Sequence, residues 1–562
     1  MSDSLAQADH HDVPSQASLE ASAQVDADAF ARSQSAHDEI LCFERWERER
    51  RAFATWRAGV ELRFRQDTAD SSRIEDAKRL AALRPIADAY DIATKRRLLE
   101  SPYRRELTDF LGEHIFTLWA QAVANDGGAT SAIVHESELV DRYATLLTSA
   151  RFEFDGKERS LAELSGFFET SDRATRERAM RASWALLDAK AVEVDDIFAQ
   201  LVRTRETIAS ESGASSFTGV AFRRLGRSDF GEEEIARFRA EIEREIVPLV
   251  EDMRAQQARA IDVDELMPWD EQVFDSMPAP TPPRSALDLA ESMQRAFADL
   301  GPVFGDFARS MITRKRLDLT AGPNKTSGAF CTFFPTTGLP YVFVHATGTS
   351  RDVGSIVHEM GHAFQDYSAR DKRVSEYIIP TAESGEIHAM AMEYLLFPHY
   401  ARFFGNDAKR FCVRHLRTMV GMLPYVAAID EFQTLVYDEP RADADTRAKM
   451  WSHVERTYMP WRHRGAHAAI DFSRAWHRQR HVFAFPFYYI DYALAMCCAL
   501  QIWSSSTQDC EDTLDRFVAF CRRGGELPFR KALAAAGLRS PFECGALADV
   551  ATLVRTYLAD ST

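Results

Sequence analysis

From residue 26 to about 215, apolar residues recur at helical spacing among charged ones, and few glycines or prolines interrupt them. That pattern predicts an N-terminal lobe of helices. The stretch from Arg45 to Arg65, dense in both signs of charge, reads as a salt-bridged helix rather than a nucleic-acid patch. A further helix is predicted from Ser228 or Asp229, with Glu232, Glu233 and Glu234 in its first turn. Its apolar face is Ile235, Phe238, Ile242, Ile246 and Leu249, and Pro248 predicts a kink. Residues 1–25 are small, polar and acidic with no periodic apolar face, which predicts a disordered tail. His10 and His11 fall inside it and read as solvent-exposed. The proline-rich run 278–283 predicts a surface loop between lobes. The clearest strand is Tyr341, Val342, Phe343 and Val344, bounded by Pro340 and a Thr-Gly-Thr turn. An extended segment there would suit β-addition of a peptide, which reads any sequence through its backbone. With no internal repeat, the chain reads as mainly α with a small sheet.

Just after that strand, Val353, Ile356, Val357, Met360 and Phe364 recur at helical spacing, so the helix carrying them is predicted to be core. The same helix contains His358-Glu-Met-Gly-His362. Histidines at i and i+4 lie one turn apart on one face and can reach a single zinc ion. Glu359 is one position round the helix, turned toward water at the ion rather than the ion itself. A catalytic zinc takes three protein ligands and keeps one position open, so a third ligand must come from elsewhere. Glu376, Glu383, Glu386 and Glu393 all lie downstream, and Glu386 is the leading candidate. Gly361 disfavours a helix interior by about 1 kcal/mol relative to alanine, which predicts close packing against the motif. The bland alternative is a surface helix with two histidines, but buried His and Glu need partners and a metal supplies one.

In residues 383–397, Glu383, Glu386 and Glu393 share one helical face, while Ile387, Met390, Leu395 and Phe397 fill much of the rest. A carboxylate face on an apolar helix predicts metal ligation by one member and support by Glu383 and Glu393. The alternative is a solvated acidic stripe. Further on, His481, Tyr488, Tyr489 and Tyr492 place several N–H and O–H donors in an otherwise apolar stretch. Buried tyrosines usually find a hydrogen-bond partner, and a reacting carbonyl would be one; ordinary aromatic core is the alternative.

The 562 residues are enough for more than one domain. No apolar run reaches the roughly 18 residues that a membrane span needs. The N-terminus lacks the basic and apolar regions of a secretory signal. Eight scattered cysteines form no CxxC pair and read mostly as small core residues, with Cys331 as packing rather than a nucleophile. A net charge of −17 argues against general nucleic-acid binding. Together these features predict a cytoplasmic protein with no membrane partner, and they set no oligomeric state.

The segment Gly328 to Phe364, with Gly-Ala-Phe-Cys, Pro340-Tyr-Val-Phe-Val, Thr349-Ser-Arg-Asp-Val and the histidine motif, resembles the M3 family of zinc metallopeptidases. Within it the chain is most similar to the oligoendopeptidase F and Pz-peptidase branch, of the thimet oligopeptidase type. Pro380-Thr-Ala-Glu-Ser-Gly-Glu-Ile-His and Trp476 through Tyr492 resemble two further blocks of that family. Many members carry histidine where this chain has Gln365. The resemblance implies a two-lobed helical metallopeptidase with a deep channel and a small β-sheet beside the HExxH helix. On that basis the domains are a tail (1–25), an N-terminal helical lobe (26–215) and a catalytic region (216–555). It implies one Zn2+ per chain on His358, His362 and Glu386, with Glu359 as general base. It implies Tyr489, Tyr492 and His481 as donors to the oxyanion and substrate, a role in which Tyr488 competes with Tyr489. Substrates would be short peptides cut at internal bonds. The competing functions are a zinc exopeptidase, against which the absence of a Gly-x-Met-x-Asn block counts, and a non-catalytic helical zinc protein. A structural zinc site is usually rich in cysteine, and no cysteine lies near the motif in sequence.

Overall fold

Side-chain oxygens start many of the helices in the computed structural model, which describes residues 13–126, 130–283 and 285–561. Ser15, Ser35, Asp70, Ser216 and Asp443 each accept a backbone N–H two or three residues on, satisfying donors that the first helical turn leaves open. Helix accounts for 71% of the chain, with small sheets and no barrel among the described residues, so the mainly α reading stands.

The expectation of a disordered tail needs correction. Gln16–Arg32 is a helix capped by Ser15. Its own pattern is weakly amphipathic, and what holds it is tertiary. Asp26, only 1% exposed, accepts Arg45 and the Tyr90 hydroxyl, and Phe30 enters a core with Phe43, Trp46, Leu98 and Trp119. Residues 1–12, with His10 and His11, lie outside the described residues.

The chain divides into two compact units, and neither is a continuous segment. One comprises residues 1–124, 281–408 and 498–538; the other comprises 125–280, 409–497 and 539–562. A linear cut at 215/216 therefore does not describe the division. The proline-rich loop does fall on a boundary, between Pro280 and Thr281.

Five strands are present among the described residues. β1 (Arg151–Phe154) and β2 (Lys157–Ser160) form an antiparallel hairpin in the second unit. β3 (Leu317–Asp318), β4 (Ala329–Phe334) and β5 (Leu339–Val344) form a sheet in the first unit, ordered β3-β5-β4. This order corrects the expectation for Tyr341, Val342, Phe343 and Val344. They belong to the central strand, where Val342 and Phe343 pair with β3 on one side and all four residues pair with β4 on the other. All four are buried, with Tyr341 and Phe343 packed on Ala58 and Leu62 of helix Ala36–Gln66. A strand with both edges used has no row of free backbone groups for a peptide; the outer strands are β3 and β4.

The helix Ser350–Ala369, which carries the histidine motif, packs on β4 and β5 and against the helix Ala382–Leu395. Val353, Ile356, Val357, Met360 and Phe364 are all buried, as their spacing predicts. In the second unit, the helix expected near Ser228 starts at Glu232. A π-helical segment, Ile242–Ile246, interrupts it just before Pro248. Proline donates no N–H, so the turn upstream of it relaxes into the wider geometry.

Candidate active site

The motif helix is held at its start by Asp352, whose Oδ2 accepts the N–H groups of Thr347 (2.9 Å), Gly348 (2.7 Å) and Thr349 (2.8 Å). Two turns on, His358 and His362 set their rings 4.9 Å apart at 84°. From the neighbouring helix, Glu386 Oε2 comes to 3.2 Å from His358 Nε2 and 3.8 Å from His362 Nε2. The three residues offer ligand atoms that all lie within 4.8 Å of one another. Zinc bonds of about 2.0–2.1 Å in tetrahedral geometry would separate ligand atoms by roughly 3.3–3.4 Å, and the two measured distances bracket that value. The donor set therefore suits the ion. Glu376, the other nearby candidate, instead accepts Trp119 Nε1 at 2.9 Å and pairs with Arg50 and Lys95.

Glu393 Oε1 sits 2.7 Å from His358 Nδ1. A carboxylate there keeps the proton on Nδ1 and leaves the Nε2 lone pair for a metal. Tyr400 donates to the Glu393 carbonyl at 3.1 Å. Glu383 accepts the Thr381 hydroxyl at 2.6 Å near the start of the same helix. All three acidic residues of the stripe are buried (Glu383 1%, Glu386 5%, Glu393 3% exposed), so it is not a solvated face.

The electrostatics follow from burial. Burial lowers the His362 pKa to about 4, so the ring is neutral and able to ligate. For His358, burial opposes the charged form, but bonds to Glu386 and Glu393 outweigh it and hold its pKa well above the usual value. Those carboxylates favour a cation at this spot. Burial also pushes Glu359 up to about 7, a range suited to proton transfer, and Cys331 N–H of β4 donates to its carboxylate. Gly361 explains itself: a Cβ there would lie 2.6 Å from Ala389 Cα, so only glycine lets the two helices approach this closely.

His481 and the three tyrosines form one cluster in the second unit. The His481 ring lies 5.8 Å from Tyr488, 4.7 Å from Tyr489 and 5.9 Å from Tyr492. Tyr488 and Tyr492 are half-buried and meet edge to face at 5.4 Å. Tyr489 is buried, with its hydroxyl against Met422 Sδ at 3.7 Å. The turn entering the tyrosines is strained. Phe487 has φ of 64°, a conformation that costs about 1–3 kcal/mol for such a residue. Gln433 Oε1 accepts its N–H at 3.1 Å and Arg227 donates to its carbonyl at 2.7 Å, which pins the conformation.

Residues 167–551 match Peptidase family M3, and residues 11–124 match the Peptidase M3 N-terminal domain. The chain belongs to peptidase family M3. Among solved structures, an X-ray structure assigned as an oligoendopeptidase F is 34% identical with a TM-score of 0.92, each chain covered to 98%. PZ peptidase A with an inhibitor is 33% identical, TM-score 0.92, again with 98% of each chain covered. A Bacillus anthracis protein assigned as an oligoendopeptidase F is 29% identical, TM-score 0.88, covering 99% of this chain and 98% of its own. Among curated proteins none matches the chain. The M3 peptidase described here is thus a metalloendopeptidase of the oligoendopeptidase F and PZ peptidase branch.

Three features of this M3 peptidase escape sequence reasoning. Gln365, where histidine is common, donates to the Ile378 carbonyl at 2.8 Å and so braces the motif helix. Asp366 is buried with Cys331 Sγ 3.8 Å away, and burial raises its carboxyl to about 8 and the Cys331 thiol well above its usual range. A protonated thiol there fits the packing role and not a nucleophile. Gln479 bonds His481 and Tyr425; a polar residue two positions before a candidate histidine was the only local signal, and its second partner lies 54 residues away.

Proposed function

We propose that this M3 peptidase is a zinc endopeptidase that cuts internal bonds of short peptides. The observation that carries the reading is the convergence of His358, His362 and Glu386, with Glu359 one residue along the same helix. Zinc held by those three side chains would supply a Lewis acid for the carbonyl and lower the pKa of water toward 7. Glu359 takes the proton of the attacking water on its carboxylate and delivers it to the leaving amine; its elevated pKa supports that cycle. Glu393 orients His358 through Nδ1, and Glu383 supports the ligand helix from its first turn. His481 and Tyr492, with Tyr488 or Tyr489, donate to the carbonyl oxygen as charge develops on it. The resemblance favours Tyr489, while the half-buried positions of Tyr488 and Tyr492 favour those two. Comparing kcat for the three Tyr→Phe variants decides between them.

An extended peptide pairs with β4 rather than β5 in this reading. β4 is an outer strand of its sheet, and its Cys331 N–H reaches Glu359. Short substrates are supported by the family and by the oligoendopeptidase names of similar structures. A cytoplasmic location is supported by eight cysteines that form no disulfide, five of them buried, and no described helix is long and apolar enough to cross a membrane. Mass spectrometry of products from mixed peptides, with and without chelator, is the test. Internal cleavage lost on chelation supports the proposal. Ladders shortened by one terminal residue at a time would make the enzyme an exopeptidase.

A further inference from the structure

The hydrogen bonds behind His481 run in one direction. Arg478 carries only donors, so in its bond to the Tyr425 hydroxyl the tyrosine oxygen accepts. The Tyr425 proton is then directed to Gln479 Oε1, 3.2 Å away. With its oxygen engaged as acceptor, Gln479 turns its amide nitrogen to His481 Nδ1 at 2.6 Å. An amide nitrogen donates and never accepts, so Nδ1 must offer its lone pair and the proton of the neutral imidazole resides on Nε2.

We propose that Gln479 is a positioning residue that fixes the tautomer of His481, so that the imidazole presents an Nε2–H as a hydrogen-bond donor to the substrate's carbonyl oxygen. The Arg478–Tyr425–Gln479 chain begins in a donor-only group and ends in a single donor. It also sets the ring: the Gln479 bond holds one edge of the imidazole, and its faces meet Tyr488 and Tyr489. The groups around His481 include the rings of Tyr488, Tyr489, Tyr492 and Phe485, with Gln479 on Nδ1; the flanking Arg478 and Arg480 are exposed, and Arg480 lies over Phe485. The proposal rests on the reading of His481 as a substrate donor, and the experiment separates the two.

Kinetics on a quenched-fluorescence peptide compare the parent with Gln479→Leu, Gln479→Glu, Tyr425→Phe and His481→Phe. His481→Phe should lower kcat by about 10²-fold, the usual effect of losing one donor to the oxyanion. Gln479→Leu should lower kcat tenfold or more, toward that limit, with KM changed less than about threefold, because binding contacts remain and the donor is lost. Tyr425→Phe should fall between that variant and the parent. Gln479→Glu gives the decisive readout. A carboxylate at this position accepts from Nδ1–H and raises the His481 pKa. Below that pKa the imidazolium again carries Nε2–H; above it the single proton sits on Nδ1. Activity relative to the parent should therefore be near parental at low pH and fall as pH rises. The glutamate is isosteric, so it tests the proposal even where leucine perturbs folding. Parental kcat in Gln479→Leu alongside an impaired His481→Phe, or a parental pH profile in Gln479→Glu, would overturn the assignment of Gln479. Parental kcat in His481→Phe would instead overturn the reading of His481.

Discussion

Gly361→Ala adds one methyl group where the motif helix meets the ligand helix. The new Cβ would lie 2.6 Å from Ala389 Cα, 3.0 Å from His388 O and 3.1 Å from Ala389 O. Non-bonded carbons sit comfortably at about 3.5–4.0 Å, so the helices must part by about 1 Å. All three neighbouring atoms are backbone, and no side chain can swing away to absorb the strain. Overpacking of this kind costs about 1–3 kcal/mol. Replacing a helical glycine with alanine returns about 1 kcal/mol, leaving a net loss of about 0–2 kcal/mol. The metal site is more sensitive. His358 and His362 ride on one helix and Glu386 on the other. Zinc–ligand distances tolerate about ±0.2 Å, so a 1 Å parting detaches the carboxylate. Zinc affinity should fall at least tenfold, or about 1.4 kcal/mol. Competition with a chromophoric chelator measures it, with thermal unfolding run in parallel. Gly421→Ala is the control. That glycine is also helical, but a Cβ added to it would meet nothing within 4 Å. Its zinc affinity should be unchanged and its stability equal or up to about 1 kcal/mol higher. A Gly361→Ala enzyme with parental zinc affinity would refute the reasoning.

Glu386→Gln should lose zinc and activity together, and metal analysis showing full occupancy would remove Glu386 from the ligand set. Glu359→Gln should retain zinc yet lose about 10²- to 10⁴-fold in kcat, since the side chain handles a proton. Loss of the metal in that variant would make Glu359 structural. Glu393→Gln should weaken zinc binding about 10- to 100-fold by loosening the hold on His358 Nδ1, as read by the same competition assay. Glu376, buried against Arg50 and Lys95, has a pKa well below the carboxylate range, because the two cations outweigh burial. A depressed carboxyl contributes stability that is present above its unfolded pKa of about 4.3 and disappears as pH falls through the folded value. Melting temperature should therefore drop below about pH 4 in the parent, and Glu376→Gln should start lower and show a shallower acid limb.

The motif helix was legible because its information is local. Apolar residues at helical spacing predicted a buried helix, two histidines one turn apart predicted a shared ion, and a glycine in the middle predicted a close neighbour. Burial of Val353, Ile356, Val357, Met360 and Phe364 and the approach of Ala389 agree with the first and last of these expectations. Glu386 is the leading one of four acidic candidates in the sequence, and the structure engages Glu376 with cations and Glu393 with the far nitrogen of His358. Composition and periodicity carry no record of which residues meet across the fold, and there the sequence misled. Residues 16–25 of the helix Gln16–Arg32 have the pattern of a disordered tail because the helix's stabilising partners, Arg45 and Tyr90, lie elsewhere in the chain. The apolar run Tyr341 to Val344 had the pattern of a strand, but whether a strand is central or outer depends on what pairs beside it, and β3 and β4 take both sides. The division into units was likewise invisible, because each is assembled from three separated segments. So too was the role of Gln479, whose meaning comes from Tyr425 and, through it, Arg478. Short-range chemistry is determined by spacing along the chain; partners, edges and proton positions are decided by long-range contacts that only the tertiary structure creates.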